Sequence, residues 1–303
     1  MRSPVKKTLD RADAVAVAWP LRKRPRTRRA RLLRVLSCIA VGLLLTIPLY
    51  VGLAKSGIIR SPFFPRAEGD IALARSDRPG LRVLFVGNSF TYYNEMPAMV
   101  GRLAKADPGA PPLYVVEYTA PNWSLEEAAD NDGLIDFIGS AQWDYVVLQD
   151  VSWGLSDPGF RYRVTFPAAR LLNREIQLDR ARTVLFLTWG WKKGDPRLRS
   201  DSFDAMQARL TEGYEELGAE LGARVAPVGP AWAEALRREP GLDLWKIGGG
   251  HPNEKGSYLA ACLFYGFLTG RAPTGSRYIG DLDPRLAHFL QAVAADVLET
   301  YGI

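Results

Sequence analysis

From Leu81 onward, short apolar runs alternate with longer stretches whose apolar residues recur at every third or fourth position. The short runs are Leu81–Val86, Leu113–Tyr118, Tyr145–Gln149, Thr183–Thr188 and Arg224–Val228. Each is rich in Val, Leu or aromatic residues, and several lack polar alternation. That pattern predicts strands of a parallel sheet buried on both faces. The helical patterns between them cover Pro97–Ala106, Ser124–Ile138, Tyr162–Leu178, Phe203–Leu221, Lys255–Thr269 and Pro284–Tyr301. In the last, Leu286, Phe289, Leu290, Val293, Val297 and Leu298 share one face. Ser124 followed by Glu127 predicts a capping box. This rhythm predicts an α/β fold of three layers, with a central parallel sheet between helices, over residues 78–303.

The N-terminal region follows another pattern. Val35–Ala54 is an uncharged run of 20 residues, and as a helix it would span about 30 Å, the thickness of a bilayer core. Pro48 lies inside it, which a membrane helix tolerates. Residues 1–34 hold twelve Lys and Arg against Asp10 and Asp13, a net charge of +10. The chain as a whole carries +6, so the remainder is mildly acidic. A nucleic-acid reading built on overall charge is therefore a mistake. The positive flank places residues 1–34 in the cytoplasm as a basic segment. Residues 35–54 then form a transmembrane signal anchor. The expected order continues with a linker at 55–77, carrying Pro62, Pro65 and a short helix near Asp70–Ala74, and the α/β domain at 78–303 outside the cytoplasm. Cleavage near Ala54 would instead release the domain as a secreted protein.

With two cysteines, Cys38 and Cys262, and two histidines in 303 residues, neither a disulfide framework nor a structural zinc site is expected. The two histidines differ in context. His288 lies within the C-terminal helical pattern and reads as structural or solvated. His251 lies in Gly248-Gly249-Gly250-His251-Pro252-Asn253-Glu254, a glycine-rich loop ahead of a helix. A loop imidazole suits general-base work near neutral pH. Ser89, in Val86-Gly87-Asn88-Ser89-Phe90-Thr91, follows the first predicted strand, where open α/β sheets bind ligands. Alone, either residue is ordinary loop chemistry. Together they point to nucleophilic catalysis.

These segments resemble the SGNH, or GDSL-like, hydrolase superfamily, and within it the bacterial branch that begins G-N-S-F-T. The resemblance covers about residues 81–275. It rests on Gly87–Thr91, on His251, Pro252, Gly256, Tyr258, Leu259, Ala260 and Ala261, and on Trp143–Gln149 and Thr188-Trp189. It implies a flavodoxin-like three-layer α/β/α sandwich and ester hydrolysis or acyl transfer without cofactor or metal. Ser89 matches the nucleophile and His251 the general base. The Ser89 amide would form the oxyanion hole with Asn122, which stands where glycine is usual, and with the Gln149 side chain. Asn tolerates a left-handed backbone better than most residues.

One departure stands out. The aspartate usual three residues before the histidine is Gly248 here. Either a backbone carbonyl orients His251 in a dyad, or Asp243, Asp150 or Glu254 substitutes, or the domain is a catalytically weak carbohydrate-binding module. Tyr92, Tyr93, Trp123, Trp153, Trp189 and Trp191 fall near predicted strand ends, where aromatic residues suit a sugar ring or an acyl chain, or simply pack. Lys192, Lys193 and Asp195 read as a solvated loop or as contacts to an anionic substrate. The expected protein is a membrane-anchored bacterial esterase, at the inner or plasma membrane, that removes small acyl groups, acetyl foremost, from a carbohydrate. An O-acyltransferase of an envelope polysaccharide is the close alternative. No nucleic-acid partner is expected, and the patterns leave the oligomeric state open.

Overall fold

The computed structural model describes residues 46–53 and 65–303. The chain divides into two units, Met1–Leu53 and Ala54–Ile303. In the first, residues 46–53 are helical. The expected basic segment and most of the expected membrane span lie outside the described residues. Among the described residues, no helix is long and apolar enough to cross a membrane.

The second unit is built on a six-stranded sheet: β1 (Arg66–Gly69), β2 (Leu81–Gly87), β3 (Leu113–Thr119), β4 (Tyr145–Leu148), β5 (Arg182–Phe186) and β6 (Arg224–Ala226). The order is β1-β3-β2-β4-β5-β6. β2 through β6 run parallel, with Val83 opposite Val115 on one side and Tyr145 on the other. Apart from β1, this is the doubly wound, flavodoxin-like order, whose ligand sites lie where the strand order reverses. Here that point is the carboxyl end of β2, between β3 and β4.

Alternation along the strands builds two cores. Val83, Phe85, Val115, Val147, Val184 and Phe186 face one side. The helices Met96–Ala106, Val228–Arg238, Glu254–Thr269 and Pro284–Thr300 cover them. Leu84, Val86, Val116, Val146, Leu148 and Leu185 face the other. Leu125–Ala129, Asp132–Ile138, Phe166–Leu178 and Phe203–Leu221 cover that side. The Glu254–Thr269 helix is buried from Gly256 to Leu268, wedged among its neighbours. Cys262 sits inside it as a buried free thiol, its pKa pushed up to about 12 by burial.

The departures from the sequence pattern have local causes. β1 lies inside the segment expected to be a linker. Its residues, Arg-Ala-Glu-Gly, carry no apolar alternation, and only antiparallel pairing with the β3 edge makes them a strand. The short helix Ile71–Ala74 follows it, close to where a helix was expected. The Ser124 capping box forms, but the helix it starts ends at Ala129. Asn131 then caps a second helix by accepting from the Leu134 amide at 2.8 Å. The pattern over Tyr162–Leu178 opens as a π turn, Arg161–Thr165, before the α-helix Phe166–Leu178. The run beginning at Arg224 ends at Ala226, because Pro227 cannot donate to a ladder. Val228–Arg238 then continues as a helix that the pattern did not predict.

Gly256, in the first turn of the buried helix, has no room for a side chain. A Cβ there would lie 2.4 Å from the Trp232 ring and 2.6 Å from the Leu244 carbonyl oxygen. Gly256→Ala is expected to lower unfolding stability by about 1–3 kcal/mol, read from urea denaturation. An unchanged midpoint would show that the helix seats more loosely than this.

Candidate active site

Buried carboxamides gather the ends of β2, β3 and β4. The Asn88 side-chain oxygen accepts from the Phe90 amide at 3.1 Å, capping the short helix Ser89–Tyr92. Its Nδ2 donates to the Trp123 carbonyl at 2.8 Å and the Asp150 carbonyl at 3.3 Å. Gln149 Oε1 in turn accepts from the Asn88 amide and the Thr91 hydroxyl, both at 2.9 Å. Ser89 is thereby fixed at the first position after the capping residue, 7% exposed, at the reversal point of the sheet.

The His251 loop is a closed turn. The Lys246 amide donates to the His251 carbonyl at 2.8 Å, and the Gly249 amide to the Lys246 carbonyl at 3.0 Å. Neighbouring residues hold the turn from outside. The Lys192 amide donates to the Gly249 carbonyl at 2.8 Å, and Trp189 Nε1 to the Gly250 carbonyl at 3.0 Å. Asn253 caps the following helix by accepting from the Lys255 and Gly256 amides. His251 Nε2 then lies 2.8 Å from Ser89 Oγ, across 162 residues of chain. With the ring proton on Nδ1, Nε2 accepts from the serine hydroxyl, within the reach general-base catalysis needs. The imidazole packs against the Tyr93 ring at 4.6 Å and the Phe90 ring at 5.6 Å between centroids. Burial lowers its pKa below the ordinary 6.5, and the Lys246 charge adds to the effect.

None of the three expected substitute acids reaches this imidazole. Asp243 pairs with Lys192 at 3.0 Å and accepts from the Trp245 amide. Asp150 is fully buried, and it accepts from the Leu125 and Val151 amides and the Thr165 hydroxyl. Its pKa is raised by burial, against those hydrogen bonds. Glu254 is exposed and borders a separate cavity with Asn94 and Arg102. Among the described residues, nothing hydrogen-bonds to His251 Nδ1. Gly248 explains the departure: its φ is +103°, a region strained for any residue with a side chain.

The expected oxyanion donors separate. Asn122 adopts φ +57°, the left-handed backbone that its chemistry tolerates, and borders the same cleft as Ser89 and His251. Among the described residues, the Ser89 and Asn122 amides donate to no protein acceptor. Gln149 does not reach the cleft. It is 1% exposed, its oxygen is occupied by Asn88 and Thr91, and its nitrogen donates to the Asp150 carbonyl. It is a structural clamp rather than an oxyanion donor.

The cleft has a volume of about 480 Å³. Val151, Trp153, Trp191 and the exposed Ile247 form its apolar walls, with Ser152 and Gly248 beside them. Of the expected aromatic rim, Trp153 and Trp191 are present. Trp189 and Trp123 are core residues, and Trp189 stacks between Phe90 and Trp232. Tyr92 and Tyr93 stack on each other, with Tyr93 turned to the imidazole. Lys192 and Asp195 are paired, to Asp243 and Arg197, and His288 is exposed on its helix. Lys246 and Ser152 went unremarked in the sequence patterns. Lys246 had only its place five residues before the histidine as a signal, and Ser152 only its place in the loop after β4. Among the described residues, no cluster of three His, Cys, Asp or Glu side chains could hold a metal ion.

Gly248→Asp, which would install the missing acid, is expected to lose about 1–3 kcal/mol of stability through backbone strain and to leave kcat no higher. Thermal melting and ester turnover check this. A rise in kcat would show that the turn can open to admit a carboxylate.

No family model and no curated protein matches this chain. Solved structures do. A DUF4886 family protein from Bacteroides uniformis aligns with a TM-score of 0.64 at 18% identity, over 73% of this chain and 95% of its own. A Slackia heliotrinireducens protein proposed as an SGNH hydrolase aligns with a TM-score of 0.52 at 24% identity, over 62% of this chain and 99% of its own. At these identities the likeness is one of fold, and the chain shares the architecture of SGNH hydrolases and DUF4886 proteins.

Proposed function

We propose that this chain is a serine esterase, working through a Ser89–His251 dyad, that removes small acyl groups from a carbohydrate. The observation that carries the reading is the 2.8 Å contact between Ser89 Oγ and His251 Nε2, in a cleft bordered by two amides that have no acceptor among the described residues. The neutral imidazole takes the serine proton as Oγ attacks the ester carbonyl. The Ser89 and Asn122 amides then face the developing oxyanion. His251 returns the proton to the departing alcohol, and water releases the acyl group by the same route in reverse.

The finer terms rest on the surroundings. Trp191, and Trp153 with the Arg197 guanidinium over its ring at 3.7 Å, give the cleft the aromatic and polar edges that suit a sugar, and Val151 and Ile247 suit a short acyl chain. The Arg-rich segment at 22–34 and the apolar run at 35–54 favour a bacterial domain anchored outside the cytoplasm, which makes an envelope or extracellular polysaccharide the substrate class. The binding-module alternative grew from Gly248, and a turn whose φ of +103° favours glycine accounts for that residue without loss of the Ser89–His251 contact.

Ser89→Ala and His251→Ala are each expected to lower p-nitrophenyl acetate turnover by about 10³-fold or more, with folding retained. A fluorophosphonate probe is expected to label the parent protein and not Ser89→Ala. Failure to label the folded parent would sink the esterase reading. The pH profile has a definite sign. Neutral His251 is the active form and its pKa is lowered from 6.5, so kcat/KM rises with pH through a midpoint below 6.5. Lys246→Gln is expected to move that midpoint upward. A parent midpoint above 6.5 would contradict the assignment of His251 as the base.

A further inference from the structure

With Gln149 buried beneath the cleft, the loop after β4 still brings a side-chain hydroxyl to it. We propose that the Ser152 hydroxyl is the third oxyanion donor, an assignment that rests on the esterase reading above. Ser152 is 8% exposed and borders the cleft together with Ser89, Asn122 and His251. These three donors follow β2, β3 and β4, the strands that meet at the reversal point of the sheet.

The Trp191 indole occupies one lone pair of that hydroxyl oxygen. Trp191 Nε1 lies 3.0 Å from Ser152 Oγ. An indole nitrogen can only donate, so the serine oxygen accepts here and keeps its own proton. Among the described residues, that proton has no acceptor. The indole is itself held in place. Its backbone amide contacts Met206 Sδ at 3.3 Å, and its ring lies against Gly250 of the histidine turn. Accepting from Trp191 also polarises the serine O–H and makes it a better donor.

The acylation half balances without a further reactant, and water enters only to release the acyl group. A bond forms between Ser89 Oγ and the carbonyl carbon, and the carbonyl π pair moves onto its oxygen. The serine proton goes to His251 Nε2. The new oxyanion accepts from the Ser89 N–H, the Asn122 N–H and the Ser152 O–H. When the pair returns, the bond to the alcohol oxygen breaks and His251 protonates that oxygen. Ser152 keeps its proton throughout, so it stabilises charge and does not transfer it.

The test is steady-state hydrolysis of p-nitrophenyl acetate by the full chain and its variants, with thermal melting alongside. Ser152→Ala is expected to lower kcat by about 10²-fold with KM within about threefold and the acid limb of the pH profile unmoved. Ser152→Thr, which keeps the hydroxyl, is expected to recover most of the activity. Trp191→Phe keeps a ring but loses the N–H. It is expected to lower kcat in the parent and to add little in the Ser152→Ala background. If Ser152→Ala fails to fold, Ser152→Cys carries the same test, since a thiol of similar size is a weak donor. A folded Ser152→Ala within twofold of the parent, beside an inactive Ser89→Ala, would overturn the donor assignment and leave the esterase standing. A rise in KM at constant kcat would overturn it as well, by making Ser152 a binding contact. An inactive parent would remove both readings.

Discussion

The Asn88 side chain is the constraint on which the site depends. It caps the helix that carries Ser89, and it donates to carbonyls in the loops that follow β3 and β4. Gln149 closes the arrangement by accepting from the Asn88 amide. Buried polar groups cost free energy unless they are paired, so this set of bonds allows few alternative loop arrangements. Three strand ends brought together by the parallel sheet thus become one surface. The position of Ser89, the turn of Asn122 and the approach of Ser152 all follow from it.

The histidine reaches this surface from a loop 162 residues further along the chain, and hydrogen bonds and packing hold that loop where an acid would otherwise help. In serine-protease triads, loss of the orienting carboxylate costs about 10⁴ in kcat. Here the closed Lys246–His251 turn, the Trp189 and Lys192 tethers and the Tyr93 and Phe90 rings restrict the imidazole instead. The trade has two sides. Burial and Lys246 favour the neutral ring, and on the proposed reading the same lowered basicity makes taking the serine proton less favourable and returning it to the alcohol more so. For the proposed esterase, stabilisation of the oxyanion would then have to supply more of the rate, which gives the donors around Ser89 added weight.

Much of the fold was legible in local patterning, because alternation and helical periodicity follow from neighbours along the chain. Five strands and most helices fall where Leu81–Val86, Phe203–Leu221 and their counterparts placed them. β1 was not legible, since Arg66–Gly69 becomes a strand only by pairing with β3. The break at Asn131 was hidden for a related reason: its side chain competes with the backbone inside an otherwise helical pattern. Ser89 and His251 were singled out because a serine after the first strand and a histidine in a glycine-rich loop point to one chemistry only as a pair, and the fold brings them within 2.8 Å. Gln149 was misread because a carboxamide at a strand end looks the same whether it faces a cleft or a buried clamp.

Sequence by itself therefore determined the layers, the parallel sheet, the two loops that hold Ser89 and His251 and the left-handed tolerance of Asn122. Each of these is a property of a few adjacent residues. Tertiary structure alone decided that, among the described residues, no carboxylate stands behind His251, that Gln149 turns inward and that Trp191 donates to Ser152 at the edge of the cleft. Those outcomes depend on contacts between distant parts of the chain, such as the dyad spanning 162 residues, and on which hydrogen-bond partners burial leaves available.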